Sequence, residues 1–109
     1  MSQEVKLFEV IVSTEAYEDI VSIYNYISID LDSTESALRL LRKLIEAIES
    51  LAVFPYRFKI IDTPPPNIKE LRAFIVKGYA ILFIINVDEI RALGVTYRIA
   101  NIHNKLHSR

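Results

Sequence analysis

The apolar residues in the second half of the chain predict three consecutive β-strands. Residues 71–76 and 79–85 form two runs rich in β-branched and aromatic side chains, separated only by Lys77-Gly78. A two-residue connection that contains glycine is typical of a tight hairpin, because glycine accepts the positive φ that such turns require. A third apolar run, residues 90–95, follows a polar turn. We therefore expect a β-meander, with Gly94 marking a bulge or a close backbone approach in its last strand.

The residues before the meander predict one strand and then a helix. Residues 6–12 alternate, and because both of their faces are largely apolar, we expect a strand inside the sheet or beneath helices. Apolar residues then recur at helical spacing from Glu15 to Ile29, with Ser13 or Thr14 as the N-cap. Glu15, Glu18 and Asp19 add negative charge to the first turns of this helix, where the helix dipole favours it.

A second helix follows after a short loop. Residues 32–35, Asp-Ser-Thr-Glu, resemble a capping box, and an apolar stripe at helical spacing continues from Leu38 to Ala52 before Pro55 ends the helix. The short loop makes the two helices an antiparallel hairpin whose apolar faces cover a sheet. Residues 57–61 predict a further short strand. Pro64 to Pro66 predict a rigid turn, with a polyproline ligand as the alternative.

These elements together predict an α+β fold. We expect a β-α-α unit followed by the β-meander, with the helical hairpin packed on a mostly antiparallel, curved sheet in a single domain of residues 1–109. The chain has no cysteine, which excludes disulfides, thiolate zinc sites and a cysteine nucleophile. No apolar run approaches the roughly 18 residues that span a bilayer, and the amino terminus does not resemble a signal peptide. We therefore expect a soluble, cytoplasmic protein.

Charge is unevenly distributed along the chain. Residues 1–54 carry ten acidic and four basic side chains, whereas residues 55–109 carry four acidic and nine basic ones. This asymmetry either indicates that the second half meets an acidic partner or means that the two halves neutralise each other within one fold.

No self-sufficient group of catalytic residues is visible. The acidic pairs Asp88-Glu89 and Asp30/Asp32 occupy turn and cap positions, where solvated carboxylates are normal. His103 and His107 are spaced so that they could share a helical face with a metal ion, but ordinary surface histidines are the favoured interpretation. We expect neither a metal nor a cofactor.

What remains in the second half is a set of basic and aromatic side chains. Arg72 is expected on the same strand face as Phe74 and Val76, where it either snorkels at an edge or binds a phosphate or carboxylate. The whole set consists of Arg57, Lys59, Lys69, Arg72, Lys77, Tyr79, Arg91, Tyr97, Arg98, His103 and Lys105.

The order of these elements and the residues they carry resemble the ParE/RelE superfamily, the toxins of bacterial and archaeal type II toxin–antitoxin modules. The resemblance extends over about residues 7–103. Its segments are Val10–Ala16, Asp19–Ile27, Leu44–Pro55, Leu71-Arg72, Lys77–Tyr79, Ile81–Phe83 and Val87–Ile90. The long helical hairpin and the end of the second helix are more similar to the ParE branch, which includes plasmid stabilisation proteins.

The two branches imply different activities. ParE-type toxins poison DNA gyrase without catalysis, whereas RelE-type toxins cleave messenger RNA in the ribosomal A site. The resemblance therefore implies a gyrase inhibitor neutralised by a cognate antitoxin, with an mRNA endonuclease or a diverged, non-toxic antitoxin-binding module as alternatives. RNA cleavage is disfavoured because Ala80 stands where the family commonly has Arg, and because Ile99 and Ala100 stand where it has a basic pair. The slightly acidic chain would also make few phosphate contacts.

The resemblance also implies site residues and partners. An RNase would have to use Arg72, Tyr97, Arg98 and His103. Partner binding is expected at Arg57, Lys59, Arg72, Lys77, Tyr79, Arg91, Arg98 and Tyr26. An amphipathic antitoxin segment is expected over the helical hairpin or along the sheet, in contact with Tyr17, Tyr24 or Tyr26, although core packing is at least as reasonable for Tyr17 and Tyr24. DNA gyrase is the expected target rather than the ribosome, and a homodimer and a toxin–antitoxin hetero-oligomer are both compatible with the sequence.

Overall fold

The structure is a computed structural model that describes residues 5–62, 64–98 and 102–106, with only the backbone described for residues 103 and 104. Its regular elements are β1 (Glu9–Val12), α1 (Thr14–Asn25), α2 (Thr34–Ser50), β2 (Arg72–Val76), β3 (Tyr79–Asn86), β4 (Glu89–Tyr97) and α3 (Ile102–Leu106). A π-helical turn, Tyr26–Asp30, continues α1, and a 3-10 turn, Pro55–Arg57, follows α2. None of the helices within the described ranges is long and apolar enough to cross a membrane.

The four strands form one mixed sheet in the order β1-β4-β3-β2. β2, β3 and β4 are the expected antiparallel meander, while β1 pairs with β4 in parallel, with Val10 opposite Ile90. Of the two alternatives expected for the first strand, a place beneath the helices is confirmed and a place inside the sheet is wrong, because β1 is an edge strand. Val10 packs on the core beneath the helices, which explains its apolar face, whereas Leu7 just before the strand is 70% exposed. The apolar alternation alone could not distinguish an edge from the interior.

The tight turn and the bulge predicted for the meander are both present in the structure. Lys77 and Gly78 have φ of 52° and 84°, the two positive values that a tight two-residue hairpin needs. In the β3–β4 ladder Leu82 faces Gly94, but the next residue, Phe83, faces Ala92. Leu93 is thus the extra residue of a β-bulge, next to the glycine that predicted it.

The two helices begin differently. The hydroxyl of Ser13 accepts a 3.0 Å hydrogen bond from the backbone N–H of Ala16, so the predicted N-cap of α1 is confirmed. The capping box predicted for α2 is wrong, since Ser33 occupies the N-cap position and its side chain makes no capping bond. Asp32 has a φ of 49°, which turns the chain sharply. The N–H of Ser33 then bonds to the carbonyl of Ile27 in the π turn at 3.1 Å.

The segment between α2 and β2 also differs from its prediction. Residues 57–61 do not form a strand, because Pro55 opens a 3-10 turn and pairing is limited to one bridge between Ile60 and Arg72. The rigid turn at the prolines is confirmed, with Pro65 buried and its carbonyl accepting the N–H of Ile68 at 3.0 Å.

Both faces of the sheet are covered. Helices α1 and α2 pack on one face, as predicted, and the buried residues of this core include Ile20, Leu44 and Phe83. The loop before β2 and α3 cover part of the other face, where the buried residues are Ile68, Leu71, Ala80, Leu82, Ile102 and Leu106. The sheet therefore presents to a partner its ends, its outer edges and the uncovered part of the second face, where Ile75 is 52% exposed.

Candidate functional site

The predicted basic and aromatic residues separate along the strands of the meander. Arg72 pairs with Phe83, whereas Tyr79 pairs with both Val76 and Tyr97. Position 76 lies four residue steps along β2 from position 72, which is about 13 Å at roughly 3.3 Å per residue. Arg72 therefore lies well away from the end of the sheet that carries Tyr79, Tyr97 and Arg98.

The end of the sheet at Tyr79 and Tyr97 forms one wall of a cleft, which we call the tyrosine cleft. Its volume is about 750 Å³. Helix α1 and the π turn form the opposite wall. The cleft is lined by Asp19, Ser22, Ile23, Tyr26, Ile27, Leu31, Tyr79, Val95, Thr96, Tyr97 and Lys105. It thus combines three tyrosines and three aliphatic side chains of the helical wall with a few polar groups, a composition typical of binding sites.

Each tyrosine reaches the cleft for a local reason. Tyr79 is the first residue of β3, Tyr97 is the last of β4, and their rings lie 5.1 Å apart at 57° as a cross-strand pair. Tyr26 begins the π turn on the opposite wall. Tyr26 and Tyr97 are 53% and 50% exposed. Burial, followed by the charges that Tyr97 and Tyr26 would carry, raises the pKa of Tyr79, so its hydroxyl stays a hydrogen-bond donor to higher pH than that of an ordinary tyrosine.

The floor of the cleft contains a buried carboxylate that the sequence analysis missed. Asp19 accepts the backbone N–H of Val95 at 2.9 Å through Oδ2, and Oδ1 lies 3.3 Å from Nζ of Lys105. Ladder pairing of β1 with β4 ends at Ala92, so β4 continues beyond its neighbour. The Asp19 carboxylate therefore accepts the N–H of Val95 that a longer β1 would otherwise have bound. One signal of its burial was present in the sequence, since Asp19 lies three residues after Ala16 and four before Ile23, on the apolar face of α1.

A second group of predicted residues surrounds the 3-10 turn. Nη1 of Arg72 donates to the carbonyls of Phe58 at 2.6 Å and Tyr56 at 3.4 Å, and its guanidinium lies 5.1 Å from the Tyr56 ring. Arg57 donates to the carbonyls of Val53 and Phe54, and its guanidinium lies 4.3 Å from the Phe58 ring. Both arginines are therefore engaged in holding this turn in place.

The remaining candidates are dispersed. Lys59, Lys69 and Lys77 are exposed, and Nε of Arg91 lies 3.1 Å from Glu89. Arg98 is exposed, 5.3 Å from the Tyr97 ring. The backbone of His103 belongs to α3, whereas its side chain, along with Ile99, Ala100 and His107, lies outside the described residues. Among the residues that the structure describes, no three His, Asp or Glu side chains are grouped so that they could hold a metal ion.

A separate apolar groove, which we call the helix groove, lies on the opposite side of α1. Its volume is about 290 Å³, and its lining is Val10, Val12, Tyr17, Ile20, Leu41, Ile45, Ile48 and Glu49. Tyr17 is 63% exposed, so core packing is not its role, whereas Tyr24 is half-buried between the two helices. The groove adjoins the outer edge of β1. Successive N–H groups of a strand point to opposite sides, and those of Glu9 and Ser13 bond to β4, so Val10 and Val12 present theirs to this edge.

Comparison with known proteins identifies similar chains. Residues 10–99 match the family model for the ParE toxin of type II toxin–antitoxin system, parDE. Among solved structures, the chain is similar to a chain of the chromosomal ParDE TA system from P. aeruginosa. The TM-score is 0.68 at 17% identity, over 84% of this chain and 97% of that chain. A search of curated proteins gave no match.

Proposed function

The chain belongs to the ParE toxins of type II toxin–antitoxin systems, and from this premise we propose that it inhibits DNA gyrase by binding alone and is neutralised by a cognate antitoxin. Because gyrase acts on chromosomal DNA, the proposal implies a cytoplasmic site of action.

The separation of Arg72 from the tyrosine cleft is the observation that carries this proposal. Cleavage of RNA requires a proton acceptor and a charge-stabilising group that converge on one phosphate. Position 76 lies beside the Tyr79–Tyr97 pair, and Arg72 lies about 13 Å along β2 from it. The guanidinium of Arg72 donates instead to the carbonyls of Phe58 and Tyr56. This arrangement supports a toxin that acts by holding its target.

The helix groove is the proposed seat of the antitoxin. Its exposed apolar residues, among them Val12, Tyr17 and Ile45, suit the apolar face of an amphipathic segment. The acidic first half of the chain surrounds the groove, so the buried apolar area would supply most of the affinity. The open edge of β1 adds backbone donors for an extended portion of the same segment.

Gyrase assays test the proposed target directly. The purified chain, added at micromolar concentration to gyrase and plasmid DNA, should block supercoiling and increase cleaved DNA, and equimolar antitoxin should reverse both effects. Primer extension on translated messages is the matched assay for ribosomal cleavage. Unchanged gyrase activity would refute the gyrase proposal, and A-site cuts in the messages would assign the chain a RelE-type activity instead.

A further inference from the structure

We propose that the tyrosine cleft is the surface with which this toxin holds its target, and that it receives an apolar or aromatic side chain from an acidic segment of that protein. This inference rests on the proposed function, because it assigns a place to the target that the toxin inhibits.

The cleft has the composition of a recognition hot spot. Aromatic side chains and arginine are enriched at the centres of interfaces, where they carry most of the binding energy. Tyr26 and Tyr97 are half-exposed across the cleft from each other, and Leu31, at its rim, is 56% exposed. The folded chain thus leaves these three large side chains exposed in one cleft, where burial by a partner would be favourable.

The wall of the cleft also departs from regular structure. The π turn at Tyr26–Asp30 interrupts the helical hairpin where it faces the cleft, and such turns occur frequently at functional sites. Arg98, directly after Tyr97, has a φ of 66°, an uncommon conformation for a residue other than glycine. Irregularity on both walls is what a surface shaped for a partner would show.

The charges around the cleft favour an acidic partner. Arg98 directly follows Tyr97, and its exposed guanidinium lies 5.3 Å from the Tyr97 ring that lines the cleft. The one acidic residue of the lining, Asp19, is 6% exposed and lies 3.3 Å from the ammonium of Lys105. Asp30 and Asp32, on either side of Leu31, are exposed at the other wall, away from Tyr97, and neither is part of the lining. At the Tyr97 wall, Arg98 would attract an acidic segment while an apolar residue of that segment enters between the tyrosines.

The tyrosine cleft and the helix groove lie on opposite sides of α1. Tyr17 lines the groove and Tyr26 lines the cleft. Nine residues separate them, which is two and a half turns at about 3.6 residues per turn. The target would therefore bind at Tyr26 and the antitoxin at Tyr17. Substituting each tyrosine by alanine gives two matched variants, one for each surface.

The test compares Tyr26→Ala with Tyr17→Ala in the full chain, with Arg98→Glu as a second variant of the cleft. Tyr26→Ala should raise the concentration that gives half-maximal gyrase inhibition about tenfold or more, as expected for an aromatic hot spot, and should leave antitoxin affinity within about twofold. Arg98→Glu should weaken inhibition in the same direction. Tyr17→Ala should weaken antitoxin binding and leave inhibition within about twofold. Circular dichroism melting establishes that each variant is folded.

Growth arrest on regulated expression distinguishes failure of this inference from failure of the gyrase proposal. If the wild-type chain inhibits gyrase and Tyr26→Ala inhibits it equally well, the cleft is not the target surface. If the wild-type chain arrests growth without affecting gyrase, and Tyr26→Ala abolishes arrest while Tyr17→Ala does not, the cleft binds a different target. A wild-type chain that neither inhibits gyrase nor arrests growth would overturn both proposals.

Discussion

The carboxylate of Asp19 in α1 accepts the backbone N–H of Val95 in β4 at 2.9 Å. A helix side chain thereby completes the hydrogen bonding of a strand that extends beyond its neighbour. The same carboxylate pairs with Lys105 of α3, so one buried group connects the first helix, the last strand and the last helix.

Asp19→Ala should therefore lower the free energy of unfolding by about 2–4 kcal/mol, because it leaves a buried N–H and an ammonium without their acceptor. Urea unfolding followed by circular dichroism measures the change. Asp19→Asn, which retains one carbonyl oxygen, should lose less. The neighbouring exposed Glu18→Ala is the control, expected within about 0.5 kcal/mol of the wild type. Equal stability of the Asp19→Ala and Glu18→Ala chains would contradict the assignment.

The two residues of the β2–β3 turn should respond in opposite directions. Gly78→Ala should destabilise by about 1–2 kcal/mol, because φ is 84° and the new Cβ would lie 3.1 Å from Cε1 of Tyr97. Lys77→Asn should stabilise by about 0.5–1 kcal/mol, since asparagine tolerates the positive φ of this turn better than lysine does. Thermal melts of both variants give the comparison. A stabilised Gly78→Ala chain would show that the turn is not formed as described.

Arg72 is expected to act through structure rather than catalysis. Arg72→Ala should lower the free energy of unfolding by about 1–3 kcal/mol, because the carbonyls of Tyr56 and Phe58 lose their charged donor. Growth arrest should persist at temperatures where the variant remains folded. Lys59→Ala, at an exposed position of the same loop, is the stability control. Loss of toxicity in a folded Arg72→Ala chain would point instead to a direct role.

Alkaline pH should weaken the fold partly through Tyr79. Its pKa is raised in the folded chain by burial first and then by Tyr97 and Tyr26, so the unfolded state loses this proton at lower pH than the native state. The corresponding stability is complete below about pH 10, the pKa of an ordinary tyrosine, and is lost as pH rises further toward the folded pKa. Urea unfolding between pH 9 and pH 11 should show a shallower decline for Tyr79→Phe than for wild type. Tyr17→Phe controls for the loss of one phenol, and parallel curves for all three chains would contradict the prediction.

Features that depend on local chemistry were accessible from the sequence. The Lys77-Gly78 turn follows from the φ requirement of a two-residue loop, the N-cap at Ser13 from its hydroxyl, and the helical hairpin from its apolar spacing. The placement of Arg72 near Phe74 followed from strand alternation, and the structure brings both to Phe58, whose ring stacks on that of Phe74 at 4.4 Å.

Features that depend on how distant segments meet were not accessible. The edge position of β1 depends on its pairing with a strand that begins 80 residues later, at Glu89. Asp19 was interpreted as an ordinary first-turn charge, because its role depends on where β1 stops relative to β4. The convergence of Tyr26 with Tyr79 and Tyr97 requires both the β3–β4 register and the π turn, and neither leaves a periodic signal in the sequence.

The parallel pairing of the first strand with the last has a consequence for biosynthesis. Glu9 of β1 pairs with Glu89 of β4. The residues between them must therefore leave the ribosome before the two strands can pair. Long-range closure of this kind slows folding. A fragment that ends before β4 would lack both the strand that pairs with β1 and the side of the tyrosine cleft that carries Arg98, so it would present no complete surface to the target.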